Sequence, residues 1–322
     1  MRRSGCLVLI AGLLLVAAGF WVAYGWKGGG PLPRATNVAI AERSSLAAAA
    51  RTLEEAGVIA SARRFRWQAR VFGSGAPIKA GEYAFPAHVS AAQVLAILQG
   101  GKALQRLVVV PEGLPSVLVR DVLMKAETLT GDVRTPGEGS VLPDGYAFER
   151  DEPRAAVLAR MQTAMRDYLA AAWKKRTPAA VVTTPAQAVI LASIVEKETA
   201  KPAERRTVAA VYGNRLRLGM PLQADPTVIY PITKGRPLGR RIRQSELHAK
   251  NGYNTYASPG LPVGPIANPG RASIDAVLNP AASKALYFVA DGTGGHVFAD
   301  TLAEHNANVR KWYAIRRARG EM

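Results

Sequence analysis

The residues best placed for chemistry are two glutamates in the string LASIVEKET, Glu196 and Glu198. The spacing predicts a helix here, with Pro185 in its first turn and Thr184 as its cap. At about 100° per residue, Ala188, Leu191, Ile194 and Val195 fall on one apolar stripe, and Glu198 falls on the same stripe. Glu196 lies roughly 140° from Leu191, and residues at i and i+2 do not face each other on a helix. The two glutamates are therefore not a paired-carboxylate site, and Glu198 is the one aimed at a core or a cleft. A carboxyl shielded by apolar neighbours resists ionisation, so it can hold a proton near neutral pH and donate it to a leaving oxygen. The helix alone also fits a glutamate that simply ends it in solvent, with Lys197 and Lys201 nearby.

Other chemistries find little support. The four histidines, His88, His248, His296 and His305, form no HExxH motif or close pair, so they predict no metal site. The serine-nucleophile string GxSxG, a phosphate-binding P-loop and a dinucleotide fingerprint are all missing. The lone cysteine, Cys6, excludes an intrachain disulfide and a cysteine-ligated zinc. Lys and Arg number 42 against 24 Asp and Glu, a net charge of +18, which favours polyanionic partners. Aromatic residues make up 7% and do not interleave with the arginines, so a nucleic-acid platform is not expected. The basic run GRPLGRRIR at 235–243 fits a phosphate or carboxylate contact, or a solvated loop.

The elements that must position Glu198 read as an α+β protein. Residues 6–26 carry no charge, follow Arg2 and Arg3, and end among Trp21, Tyr24 and Trp26. A bilayer crossing needs about 20 apolar residues. The pattern predicts an uncleaved transmembrane signal-anchor in contact with the lipid bilayer, with the rest of the chain outside the cytoplasm. Residues 27–35 are a Gly/Pro linker. Residues 36–113 read as a β-α-α-β-α-β module, with Ser45 and Ser90 as helix caps and no acid–base pair. Residues 114–182 are a mainly helical connecting region, and 183–322 a section that opens with a capped helix and becomes rich in loops. The Pro- and Gly-rich string YNTYASPGLPVGPIANPG also carries Tyr, Leu, Val and Ile, which favours an ordered functional loop over a disordered one.

The strings LASIVEKET, VAAVYGNRLRLGMPLQADPTVIY, YNTYASPGLPVGPIANPG and LYFVADGTGGHVFADTLAEHN, in that order, resemble the MltG (YceG-like) endolytic murein transglycosylases. EGL at 112–114 and LPDGYAF at 142–148 extend the likeness upstream, the latter without the tryptophans usual there. The resemblance implies a LysM-like module over 36–113 and a YceG-like catalytic domain from 183. It also implies a peptidoglycan lytic transglycosylase that cuts the MurNAc–GlcNAc β-1,4 bond of nascent strands and leaves 1,6-anhydro-MurNAc ends. The family's catalytic glutamate maps to Glu198, with Glu196 in reserve. Substrate-cleft candidates by the same likeness are Asn214, Gln223, Asp225, Thr227, Tyr253, Asn254, Tyr256 and His296. Each of these also suits a structural role; Asp225, for example, precedes Pro226 and could organise a turn. The family needs no metal or organic cofactor, since the sugar's own C6 hydroxyl replaces an activated water. Expected partners are glycan strands and cell-wall synthases, at the inner membrane with the C-terminal domain in the periplasm. The rival reading is a non-catalytic peptidoglycan-binding scaffold for those synthases, which would not need Glu198.

Overall fold

The computed structural model describes residues 12–13, 17 and 19–321. Of the predicted span 6–26, residues 6–11, 14–16 and 18 lie outside them. Residues 19–27 are helical, and among the described residues no helix is long and apolar enough to cross a membrane.

The chain divides into two compact units. The first runs to Arg106 and takes in Ala147–Asp151; the second comprises Leu107–Tyr146 and the chain from Glu152 onward. In the first unit β1 (Thr36–Ile40) pairs antiparallel with β2 (Gly81–Phe85). Val38 and Ile40 are buried while Ala39 between them is exposed, the period of two that one buried sheet face imposes. Helices α1 (Leu46–Glu55) and α2 (Ala62–Phe72) connect the strands, and α3 (Ala91–Gly100) follows. Ser45 and Ser90 accept backbone N–H groups at the starts of α1 and α3, and Gln93 completes a capping box. Leu53, Phe65, Tyr83, Phe85 and Leu98 fill the core between sheet and helices.

The unit boundary falls within β3 (Arg106–Val109) and β4 (Gly145–Phe148), which form a second two-stranded sheet. The second unit holds α4 (Ser116–Lys125), α5 (Arg154–Lys174), α6 (Pro185–Glu198), α7 (Arg205–Arg217) and α8 (Asp225–Thr233). After these come the short α9 (Gln244–Leu247), α10 (Arg271–Leu278), the antiparallel hairpin β5 (Tyr287–Ala290) with β6 (His296–Ala299), and α11 (Leu302–Ala318). Helix α6 is the centre of this unit. Leu191, Ala192, Ser193, Ile194 and Val195 are all buried, so it is covered on every side and not along one stripe.

The loop between α9 and α10 has no regular structure, yet it is tied down by side chains. Ser193 on α6 accepts the Ile266 N–H at 3.0 Å. Asn268 donates to the Leu114 carbonyl at 2.8 Å and accepts the Val141 N–H at 3.0 Å. Gly139 has φ 74°, and a Cβ there would stand 2.7 Å from Val189 and 2.8 Å from Pro265, so only glycine lets this turn approach the loop.

Candidate active site

Helix α6 delivers both glutamates, and tertiary partners separate them. Thr184 accepts the Gln187 N–H at 3.2 Å and Pro185 occupies the first turn, so the helix starts where its sequence dictates. Because Leu191–Val195 are buried on every side, the face opposite the predicted stripe is covered there too. The Glu196 side chain is only 5% exposed. It lies 3.3 Å from Arg205 and accepts the Gly270 N–H at 2.8 Å, while Glu112 shares Arg205 at 3.2 Å. Glu196 is thus held in an ion-pair network that fastens α6 to α7 and to the start of α10. The Glu198 Oε1 is buried with no hydrogen-bond partner among the described residues.

Glu198 opens instead on a cleft of about 470 Å³. Tyr212 and Arg215 line it from α7, and Gln223 and Asp225 from the turn into α8. Tyr256 comes from the irregular loop, Phe288 from β5 and His305 from α11. Burial raises the Glu198 carboxyl from 4.5 to about 7, and the negative Asp225 adds to the rise. A hydrogen bond from the Tyr212 hydroxyl and the charge of Arg215 pull the other way. Such a group is poised to give up and take back a proton near neutral pH.

Asp225 is the first residue of α8, where the helix N-terminus favours a carboxylate. The Tyr256 hydroxyl donates to its Oδ1 at 2.6 Å. The Tyr256 phenol is raised by burial and by that carboxylate, so it remains a donor. Two carboxylates therefore share one cleft, an arrangement the EKE spacing does not reveal. Gln223 holds a left-handed backbone, φ 54°, while donating its N–H to the Thr255 carbonyl at 3.0 Å. A non-glycine residue in that region stores strain, which is common beside functional groups.

Of the residues singled out by sequence, Glu198, Gln223, Asp225 and Tyr256 meet in the cleft. The others stand behind it or apart from it. Thr227 is buried; its hydroxyl lies 2.8 Å from that of Thr255 and donates to the Ala224 carbonyl at 2.7 Å. Thr255 in turn accepts the Ala224 N–H, which clamps the loop to the start of α8. Asn254 donates to the carbonyls of Glu246, Leu247 and Ala249 and accepts the Tyr256 N–H, so it sets the direction of Tyr256. Tyr253 packs on Tyr230, ring centres 4.9 Å apart. Asn214 donates to the carbonyls of Ser283 and Ala285, away from the cleft. His296 pairs with Glu204 at 2.7 Å and sets its ring edge against Phe288.

Tyr212, Arg215, Phe288 and His305 line the cleft without having been singled out. Tyr212 and Arg215 are three apart on α7 and so share a face, the one signal that pointed to them. Nothing in the sequence marks His305; only the fold stacks it on Tyr287, ring centres 5.2 Å apart, and turns it into the cleft.

Comparison with known proteins points one way. The sequence profile described as the YceG-like family matches residues 38–311. An endolytic murein transglycosylase of Bacillus subtilis strain 168 is 32% identical over 198 residues, covering 62% of this chain and 52% of the relative. One from Streptococcus pneumoniae strain D39 is 33% identical over 178 residues, covering 53% of this chain and 31% of that protein. The chain thus spans about half the length of the first relative and about a third of the second. A crystal structure of a putative YceG-like protein from Listeria monocytogenes superposes with a TM-score of 0.50 at 28% identity, over 85% of this chain and 99% of that one.

Proposed function

Because this chain belongs to the YceG-like family, we propose that it cuts peptidoglycan glycan strands as a lytic transglycosylase, with Glu198 as its single acid and base. The observation that carries this is a buried carboxyl, raised to about 7, facing a cleft that also holds Asp225 and Tyr256.

The reaction follows from those groups. Protonated Glu198 gives its proton to the glycosidic oxygen between MurNAc and GlcNAc as the C1–O bond breaks. Positive charge develops at C1 and the ring oxygen, and the Asp225 carboxylate, oriented by Tyr256, stabilises it electrostatically. The Glu198 carboxylate then takes the proton of the C6 hydroxyl as that oxygen attacks C1. The product is a 1,6-anhydro-MurNAc end, and Glu198 is protonated again. No water enters, so the second carboxylate is not needed as a nucleophile or a base, unlike in ordinary glycoside hydrolysis.

The cut falls within nascent strands and ends their elongation, beside cell-wall synthases. Residues 6–26 anchor the chain in the inner membrane with the remainder in the periplasm, an assignment supported by the charge and length of that segment. Residues 36–113 serve as a LysM-like glycan-holding module; the antiparallel pair β1–β2 with its two intervening helices supports that role.

The decisive test is the chemistry of the ends. The 322-residue chain in detergent, incubated with uncrosslinked glycan strands, should yield 1,6-anhydro termini by mass spectrometry. Glu198→Gln keeps the size of the side chain but cannot exchange a proton, and should lower the rate by about 10²–10⁴-fold. Water-derived reducing ends would instead make the enzyme a hydrolase with Asp225 as the second carboxylate. Unimpaired cutting by the variant would remove Glu198 from the mechanism.

A further inference from the structure

Arg215 is the unusual cation of the second unit. It is 8% exposed and lines the cleft. Its Nε donates to the Leu286 carbonyl at 2.7 Å. Its Nη1 donates to the carbonyls of Pro221 and Leu222 at 3.2 and 2.8 Å and approaches the Gln223 amide oxygen at 3.4 Å. The guanidinium also lies 5.2 Å over the Tyr287 ring. Every one of these partners is neutral. Among the described residues no carboxylate comes within ion-pair distance of it, whereas the nearby Arg205 is neutralised by Glu196 and Glu112. Among the described residues its Nη2 donates to no group, and it is not one of the buried atoms left without a partner, so it keeps access to the cleft.

Burying a cation without a carboxylate in direct contact is costly, and desolvation pulls the Arg215 pKa down, although the Glu198 carboxyl across the cleft acts the other way. Helping the reaction at C1 does not account for it. A fixed positive charge beside a sugar carbon that becomes positive opposes the reaction. What such a group suits is a negative ligand: a guanidinium held rigid by its other donors offers a pre-set contact for a carboxylate. Of the other groups lining the cleft that can carry positive charge, Lys197 is exposed to solvent and keeps its hydration, and His305 is held toward its neutral form by burial and by Arg215.

We propose that Arg215 is a carboxylate-binding subsite of the cleft, which selects glycan carrying an acidic group beside the bond to be cut. This rests on the glycan-cleaving reading above. In peptidoglycan the carboxylate comes from one of two sources: the lactyl group of MurNAc on peptide-free strands, or the stem peptide on substituted ones. Chitin-like strands offer neither and fall outside the preference.

Binding to the Glu198→Gln protein tests this apart from catalysis. Calorimetry would compare peptide-free strands with the same strands blocked as methylamides, and stem-bearing strands with their blocked form. A charge-assisted hydrogen bond predicts about 10–100-fold tighter binding of the free form in at least one pair. The pair that shows it identifies the source. Adding Arg215→Gln should erase the preference, leaving both forms at the blocked affinity. Adding Arg317→Gln, which removes an equal charge from the exposed end of α11, should leave the preference intact. Equal affinity for free and blocked strands in both pairs overturns the subsite, as does an Arg215→Gln variant that weakens both forms alike. Should that variant not fold, the guanidinium ¹⁵N resonances of Arg215 in the Glu198→Gln protein give the answer. They should shift with free strands and stay put with blocked ones, and no shift overturns the proposal. Cleavage of strands by the unaltered chain is read separately, so loss of the subsite and loss of the enzyme reading are distinguishable.

Discussion

Keeping Glu198 protonatable near neutral pH has a cost in stability, and Glu198→Gln exposes it. In the unfolded chain this carboxyl titrates near 4.5, and in the folded one at about 7. Between those values the native state binds more protons than the unfolded state. The stability this group contributes is fully present below pH 4.5 and is lost as pH rises through about 7. At about 1.4 kcal/mol per pH unit, the loss reaches about 3 kcal/mol by about pH 8. Glutamine has nearly the shape of the protonated acid and never ionises, so the variant escapes that loss. It should match the parent near pH 4.5 and exceed it by about 3 kcal/mol near pH 8. For a domain of about 200 residues, that is a rise of roughly 6–12 °C in Tm. Scanning calorimetry of both proteins across this range, following the transition of the second unit, reads it directly. Parallel curves for parent and variant would refute the raised carboxyl and, with it, the argument that burial prepares Glu198 for acid catalysis.

Cutting by the unaltered chain should decline as pH rises through about 7, because the acid must be protonated to act. Asp225→Asn should move that decline to lower pH, since the Asp225 charge helps to raise Glu198; an unmoved limb in the pH profile of kcat/KM would deny their coupling. Glu196→Gln should retain measurable cutting yet lose about 1–3 kcal/mol of stability with its ion pair to Arg205, readable as a lower melting temperature. A reporter fused after Met322 should be active only outside the cytoplasm, and cytoplasmic activity would overturn the anchor and the substrate together.

By itself the sequence determined much of the local structure. Ser45, Ser90 and Thr184 each sit ahead of an apolar-periodic run and each caps a helix, because a short side-chain oxygen can satisfy N–H groups that the first turn leaves free. Period-two alternation marked β1, and helical geometry alone set Glu196 and Glu198 on different sides of α6. The family likeness was legible too, in strings of side chains that turn out to line or brace one cleft.

What only tertiary structure decided is the electrostatic surroundings of those side chains. The stripe that selected Glu198 presumed one buried face, yet over Leu191–Val195 α6 is buried on every side. What separates the two carboxyls is that Arg205 and the Gly270 N–H hold one, while the other keeps an oxygen buried without a hydrogen-bond partner among the described residues. Asp225, twenty-seven residues on, reaches the same cleft because the Thr227–Thr255 clamp joins α8 to a loop with no regular structure. Tyr256 is aimed by Asn254, and Arg215 is buried by carbonyls from a turn and from the start of β5. A pKa depends on desolvation and on charges a few ångströms away, whichever part of the chain supplies them. Spacing along one helix cannot carry that information, because the groups that set it arrive from segments brought together only by packing.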